Sequence, residues 1–279
     1  MTRFYSHVFK RRATGDLRDV GQRLKISEAS VEAEGVFPES GFPRDQGAPR
    51  VRAMKHGGKA MKSAVKMLTW AVVILGILAV GLRLTGVPVG WTLGTVLGPF
   101  VVFAAFTLYF FRDPSAQVPT GSGLVVSPGH GKVDIIDEIE EREVMGGRCR
   151  RVSIFLSVFN VHVQQAPVSG RVMLVKHNPG KFLNALKAES ATENENVLIG
   201  FDATEPGKGR VGMRLLAGLI ARRIIPWLKV GEDVQKGERV SLIQFGSRVD
   251  IYLPLGAKVE VQMGQKVVGG ETVVARWQA

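Results

Sequence analysis

The 279-residue chain is poor in cysteine, with Cys149 alone. That excludes an intramolecular disulfide framework and a zinc cluster built on cysteines, and no metal site is expected. A single thiol of this kind reads as an ordinary residue rather than a nucleophile. The sequence also lacks a glycine-rich dinucleotide-binding helix start and a lysine motif for pyridoxal phosphate, so neither cofactor is expected. Acidic residues are outnumbered, 25 Asp/Glu against 37 Lys/Arg, for a net charge of +12. The excess is uneven: residues 1–66 carry 14 Lys/Arg against 7 Asp/Glu, leaving +5 for the remaining 213 residues. A basic, aromatic-poor segment reads as a flexible arm suited to anionic lipid head groups or nucleic acid. The apolar run that starts directly after Lys66 favours lipid, and no nucleic-acid partner is expected.

Charge is absent altogether from residues 67–82 and 91–111. As helices these would be about 24 and 31 Å long, against a hydrocarbon core of about 30 Å. Arg83 and the Gly86-Val87-Pro88 stretch make a turn between them, and Trp70, Trp91 and Tyr109 lie near the segment ends, where interfacial aromatics gather. The first apolar run starts too deep in the chain for a signal peptide, and nothing like a cleavage site follows it. Lys55, Lys59, Lys62 and Lys66 mark the cytoplasmic side, and two spans then return the rest of the chain to the cytoplasm. Two buried helices of a soluble core would need the remaining chain to cover both, yet that remainder reads as self-sufficient β structure.

From Ser115 onward, short β-type runs are broken by Gly and Pro. Strands are expected over residues 123–126, 133–137, 150–159, 170–176, 197–202, 211–215, 240–244, 250–253, 258–261 and 272–276. A helix is expected at 181–187, and a helical stretch at 216–227. Residues 230–238 (VGEDVQKGE) and 263–271 (MGQKVVGGE) repeat one grammar, two glycines set around a valine, as in the turns of lipoyl-type domains. The expected fold is mainly β with a few helices, sandwich- or barrel-like with lipoyl-like hairpins, behind a two-helix membrane anchor. The expected boundaries are 1–66 for the arm, 67–111 for the anchor and 112–279 for the β-rich domain.

Gly246-Ser247 stands between two of these strands. A serine after a glycine can attack the carbonyl behind it, because glycine has no Cβ to block the approach and tolerates strained backbone. The ester from this N→O acyl shift can then eliminate, cutting the chain and leaving a pyruvoyl ketone at residue 247. Most Gly-Ser pairs are simply turn residues, so the surrounding sequence has to decide.

Six blocks supply that context. They are Phe110-Phe111-Arg112-Asp113-Pro114, Val126-Ser127-Pro128 with Gly131-Lys132-Val133, Phe155-Leu156-Ser157 running into Asn160-Val161-His162-Val163 and Ala166-Pro167-Val168-Ser169-Gly170, Asn194-Glu195-Asn196, Gly218-Leu219-Ile220-Ala221-Arg222-Arg223-Ile224, and Phe245-Gly246-Ser247-Arg248-Val249-Asp250. In this order, over about residues 67–279, the chain resembles the short bacterial phosphatidylserine decarboxylase proenzymes. The resemblance implies self-cleavage between Gly246 and Ser247 into two chains that stay associated, with the covalent pyruvoyl group from Ser247 as cofactor. It further implies decarboxylation of phosphatidylserine to phosphatidylethanolamine through a Schiff base with that ketone, at the cytoplasmic face of a bacterial inner membrane. Membrane lipids are the other expected partner, and homo-oligomerisation is left open.

His162 matches the family's catalytic histidine, serving as base and acid. Strand alternation would put it beside Asn160 on one face, with Phe159, Val161 and Val163 on the other. Arg222 and Arg223 are candidates for the lipid phosphate, Phe245 for the pocket wall, and Asn196 for a substrate-adjacent position. Leu219, Ile220, Ile224, Ile225 and Trp227 form an alternative membrane-resting face. At His130 the family usually carries an aspartate that orients the histidine. Three readings stay open: a neutral His130–His162 hydrogen bond, a role taken over by Asp134, Asp137 or Asp250, or impaired maturation. The rival to the enzyme is an unprocessed, membrane-anchored structural protein or lipoyl-like binding module.

Overall fold

A computed structural model describes residues 55–183, 193–204, 209–218, 223–244 and 247–277. It begins with helices α1 (Lys59–Leu84) and α2 (Val89–Phe110). Gly86, with φ of 84°, and Pro88, which caps α2, reverse the chain between them. Both helices are long and apolar enough to cross a membrane. None of the most apolar stretch of α1 is buried and only 11% of that of α2, so the β domain does not cover them. Trp70, Ile77, Trp91 and Val102 are each at least 60% exposed, an arrangement that water penalises and hydrocarbon does not. The adjacent ends of the two helices do meet the β domain. Ala60 and Ala64, one turn apart on α1, are fully buried with Phe110 and Phe111 against Val161, Val163 and Leu242, the small side chains allowing close backbone approach.

The rest is mainly β, as the sequence indicates. The strands are β1 (Leu124–Val126), β2 (Gly131–Glu141), β3 (Gly147–Leu156), β4 (Val163–Gln165), β5 (Gly170–Asn178), β6 (Asn196–Ala203), β7 (Arg210–Leu216), β8 (Arg223–Pro226), β9 (Asp233–Val234), β10 (Arg239–Gln244), β11 (Ser247–Leu253), β12 (Ala257–Val259), β13 (Lys266–Val267) and β14 (Val273–Trp277). An eight-stranded sheet has the order β13-β2-β3-β11-β7-β6-β5-β9, with three-stranded sheets β1-β14-β12 and β4-β10-β8. Period-2 alternation sends Val152, Ile154, Leu156, Val249, Ile251 and Leu253 into a core shared with β1, β10 and β14. The other face of the large sheet carries a smaller cluster of Val144, Cys149, Leu198 and Tyr252. Burial there raises the Cys149 thiol to about 11, which leaves it an inert packing residue.

The two glycine phrases are the visible part of an internal duplication. Each folds as turn, two-residue strand, turn: Gly231-β9-Gly237 and Gly264-β13-Gly270, all four glycines at positive φ. The strands β9 and β13 close opposite edges of the large sheet, on β5 and β2. Matching hydrogen bonds accompany them: Gly237 N to Ala166 O and Gly270 N to Ser127 O, and Gly231 N to Val172 O and Gly264 N to Val133 O, all 2.8 Å. One half is β4–β10; the other is β1–β3 together with β11–β14. The halves exchange bonds where their X-Pro loops cross, Val126 N to Pro167 O and Gln165 N to Pro128 O, both 2.9 Å. The polypeptide passes from one half into the other between Gln244 and Ser247.

Three local expectations differ from the structure. The run expected over 150–159 stops at Leu156, because the Asn160 side chain accepts hydrogen bonds from Ser157 N (2.9 Å) and Ser157 Oγ (2.8 Å) and closes a turn. Alternation therefore fails beyond it: Phe159 is 64% exposed while Val161 and Val163 are buried. In the expected helical stretch 216–227, Leu216 ends β7, and Arg223–Pro226 is strand β8, paired with Ser241–Gln244. Ile224 and Ile225 favour that state, and Pro226 fits a sheet-edge strand where its missing N–H is tolerated; residues 219–222 lie outside the described residues. Of the helix expected at 181–187, Lys181 instead bridges to Asn194, and residues 184–187 lie outside the described residues.

Gly131 and Gly170 occupy matching places in the two halves. A Cβ would collide with Phe155 O at the first and Asp202 O at the second. Gly131→Ala and Gly170→Ala are each expected to cost about 3 kcal/mol by forcing strands apart. Gly147→Ala, which meets nothing within 4 Å, should stay within about 0.5 kcal/mol. Chaotrope unfolding of the detergent-solubilised protein checks all three.

Candidate active site

His162 lies between β3 and β4, and its carbonyl meets β10 at Ile243. Its ring is fully buried and stacks on Phe110, the last residue of α2, with centroids 4.2 Å apart. Nδ1 lies 2.9 Å from Asn160 O. A carbonyl can only accept, so Nδ1 carries the proton and the basic lone pair is on Nε2. The turn that presents the ring is tied to the membrane anchor: Tyr109 Oη (3.2 Å) and Arg112 Nη2 (2.7 Å) both donate to Phe159 O. Arg112 also lies over the Tyr109 ring at 3.9 Å. The His162 carbonyl accepts from Ile243 N (3.1 Å) and Gln164 Nε2 (2.7 Å), which fixes the backbone beneath the ring.

Burial pushes the His162 imidazole down to about 4, helped by the charges of Arg112 and His130 and opposed by the Asn160 bond. The ring is therefore neutral at physiological pH. Because the folded value lies below that of the unfolded chain, the stability of this neutral ring is complete above about pH 6.5 and is lost as pH falls toward 4.

Ser247 opens β11 opposite Leu156 and is fully buried. Its Oγ has no hydrogen-bond partner among the described residues, which is uncommon for a buried hydroxyl. Ile243 N donates to His162 O, and Ser247 pairs with Leu156, so β10 and β11 meet opposite ends of the 156–162 segment. Alternation places Ser247 on the same face of β11 as Val249. Gly129 comes to the same place: a Cβ there would stand 3.7 Å from both Leu156 and Val249 side chains. Gly246 and Phe245 lie outside the described residues.

His130 follows Gly129, close enough for its charge to oppose protonation of His162. A Cβ on Gly269 would collide with Gln165 Oε1 and stand 3.1 Å from His130 Nε2. Both of those atoms are buried without a hydrogen-bond partner among the described residues. Burial lowers the His130 imidazole, Arg112 adds to that, and Glu271 and Asp113 act against it. The carboxylates considered from sequence are engaged elsewhere. Asp134 pairs with Arg248, Asp137 with Arg151 at 2.6 Å, and Asp250 accepts from Ser153 Oγ at 2.6 Å, on the strand face opposite Val249. The acids nearest His130 are instead Glu271, which accepts from Gln117 N, and Asp113, which pairs with Arg239 at 2.7 Å.

Among the candidate binding residues, Arg223 is exposed at the start of β8 and lines a cleft of about 540 Å³ between that strand and the anchor helices. Arg222, Leu219 and Ile220 lie outside the described residues. Ile225 and Trp227 pack on the anchor cluster, whereas Ile224 packs on the main core. Asn196 is part of an amide chain, accepting from Asn178 Nδ2 and donating to Asn194 O, both at 3.0 Å. Asn194 in turn donates to Leu183 O and Ala217 O, so the pair knits loops together. Sequence reasoning missed the roles of Phe110, Tyr109, Arg112, Gln165 and Glu271. The contiguity of Phe110–Pro114 with the end of an apolar run was the available signal for the first three.

Residues 103–275 match the family model described as phosphatidylserine decarboxylase. The chain is 44% identical over 177 residues to a phosphatidylserine decarboxylase proenzyme of Desulfotalea psychrophila, covering 63% of this chain and 82% of that protein. It is 43% identical over 191 residues to the proenzyme of Rhodopirellula baltica, covering 68% and 79%. It is also 43% identical over 197 residues to that of Symbiobacterium thermophilum, covering 71% and 89%. With most of the β domain and the end of the second helix inside these matches, the chain belongs to the phosphatidylserine decarboxylase family.

Proposed function

We propose that this chain is a self-processing phosphatidylserine decarboxylase. It is anchored in the bacterial inner membrane by α1 and α2, with the β domain on the cytoplasmic side. The carrying observation is the buried Ser247 hydroxyl, without a hydrogen-bond partner among the described residues and opposite Leu156, the strand end that leads into the turn presenting a neutral His162. His162 Nε2 takes the Ser247 hydroxyl proton as Oγ attacks the Gly246 carbonyl. The C–N bond breaks in favour of an ester, and loss of the residue-247 α-proton expels the Gly246 carboxylate. Hydrolysis of the resulting enamine nitrogen consumes one water and releases ammonia, leaving the ketone. A cut here is tolerated because both flanks are paired independently, β10 to β4 and β8, β11 to β3 and β7.

The pyruvoyl group at residue 247 supplies an electron sink for the pair released as CO₂ leaves the bound serine head group. The surroundings suit such a group: they are apolar around Leu156 and Val249, and the hydroxyl from which the ketone would derive has no competing partner among the described residues. Around it, the chain's residues would exclude water and manage a proton, with Phe110 shielding the His162 ring and His162 as the acid–base group. The membrane orientation rests on charge. Lys59, Lys62 and Lys66 begin α1 and Arg112 follows α2, and the packing of Ala60 and Ala64 with Phe110 brings those ends together.

Intact-mass analysis is the direct test. Wild type is expected as chains 1–246 and 247–279, the short one lacking the mass of ammonia relative to an N-terminal serine and reacting with a carbonyl-trapping amine. Ser247→Ala is expected to remain one chain of 279 residues. An unbroken wild-type chain would overturn the reading in favour of an unprocessed structural protein, the alternative that His130 raises.

The pH dependence of processing separates His162 from a solvent-exposed base. Its imidazole is driven down to about 4, so the rate should be level from about pH 8 to 5.5 and fall below about pH 5. Arg112→Gln removes a charge that disfavours the imidazolium and should move the inflection upward. An inflection that stays near 6.5 in both proteins would exclude His162 as the base.

A further inference from the structure

We propose that the membrane anchor is itself part of the substrate site. The cleft between α1, α2 and β8 would then hold the head group and glycerol end of phosphatidylserine, entering sideways from the bilayer. This rests on the decarboxylase reading and assigns the lipid a place in it. Lys62 and Lys66 are one turn apart on α1 and share the cleft with Arg223 of β8. No carboxylate pairs with any of the three among the described residues. Uncompensated cations gathered on one opening call for an anionic occupant, and the lipid phosphodiester supplies that charge while leaving the serine free to reach residue 247.

The wall continues along the same face of α1 as Met67, Trp70 and Ile74, with Phe103 opposite from α2. Charge therefore gives way to apolar surface at the residue where the uncharged span begins, as it does from lipid head to acyl chain. Trp70 and Ile74 are 60% and 61% exposed, so this side opens outward and the chains can stay in the bilayer. A volume of about 540 Å³ suits a head group and glycerol within the usual range for small-molecule sites of about 300–1,000 Å³. Gln244 of β10 also lines the cleft. It is three residues from Ser247, so the reacting residue is within about 11 Å along the chain.

The test uses the full-length protein in mixed micelles and in vesicles. Lys62→Gln/Lys66→Gln is expected to self-cleave fully and to keep kcat within about twofold, while its KM for long-chain phosphatidylserine rises about tenfold, or about 1.4 kcal/mol. The matched loss of charge outside the cleft, Lys55→Gln/Lys59→Gln, should leave KM within about twofold. Trp70→Ala should raise KM for the long-chain lipid and not for glycerophosphoserine, which lacks acyl chains.

A readout independent of catalysis uses Ser247→Ala protein in phosphatidylcholine vesicles containing phosphatidylserine with a photoreactive group near its glycerol. Crosslinks are expected within residues 62–74 and at Phe103, and are lost in the Lys62/Lys66 double variant. Processed variants with unchanged KM, or crosslinks that ignore these residues, overturn the cleft and leave the decarboxylase reading standing. A wild-type protein that neither cleaves nor releases CO₂ overturns the decarboxylase reading, and the crosslink still decides whether lipid occupies the cleft.

Discussion

The stacking of Phe110 on His162 is the contact on which the rest of the site depends. An aromatic ring in that place removes water from the imidazole, and without water the imidazolium is disfavoured. The same ring is the last residue of a helix whose outward faces suit only hydrocarbon. Docking of that helix rests on two alanines small enough to let α1 close over it. Tyr109 and Arg112 then fix the turn before His162 by holding one carbonyl. The anchor therefore does more than tether the domain: its final turn is a wall of the site. Losing a buried ring of this kind costs on the order of 3–5 kcal/mol, and here the loss would also hydrate the base.

The internal duplication explains why a backbone cut at residue 246 is compatible with a single folded body. β11–β14 belong structurally with β1–β3, although the whole of the other half lies between them in sequence. Pairing of β11 with β3 and of β14 with β1 makes the C-terminal segment an integral set of strands. The chain crosses between the halves twice, from β3 to β4 and from β10 to β11, and the second crossing contains the Gly246-Ser247 bond. A break there would separate two chains covalently while leaving every described ladder intact.

Much of this was legible in the sequence, for identifiable reasons. The uncharged runs before and after Arg83 gave both helices because length and apolarity suffice for that inference. The shared Gly-x-x-Val spacing, Gly231 to Val234 and Gly264 to Val267, marks the repeated turns because positive φ at the glycines leaves few substitutes. Ser247 and His162 become candidates only through their neighbours, each being ambiguous alone. What remained hidden was tertiary. The turn at 157–160 is made by the Asn160 side chain, a local competitor that alternation does not register. The strand at Arg223–Pro226 exists because β10 offers it an edge. Helical spacing places Lys62, Lys66 and Trp70 on one face of α1, but only the packing of α1 on the β domain turns that face toward Arg223.

His130 gains meaning from its surroundings. A carboxylate at that position would favour the imidazolium of His162, raising its basicity at the price of a pH-dependent charge. An imidazole does the opposite when protonated, and Arg112 adds to it. A shift from about 6.5 to about 4 corresponds to about 3 kcal/mol against the imidazolium, so in the proposed self-cleavage proton abstraction from Ser247 would have less driving force. In return, the base form is fully populated across the physiological range. The proposed cleavage would happen only once per molecule, so a slow proton transfer would be tolerable where a mis-protonated base would not be. Glu271 and Asp113 stand where they can stabilise charge on His130 instead.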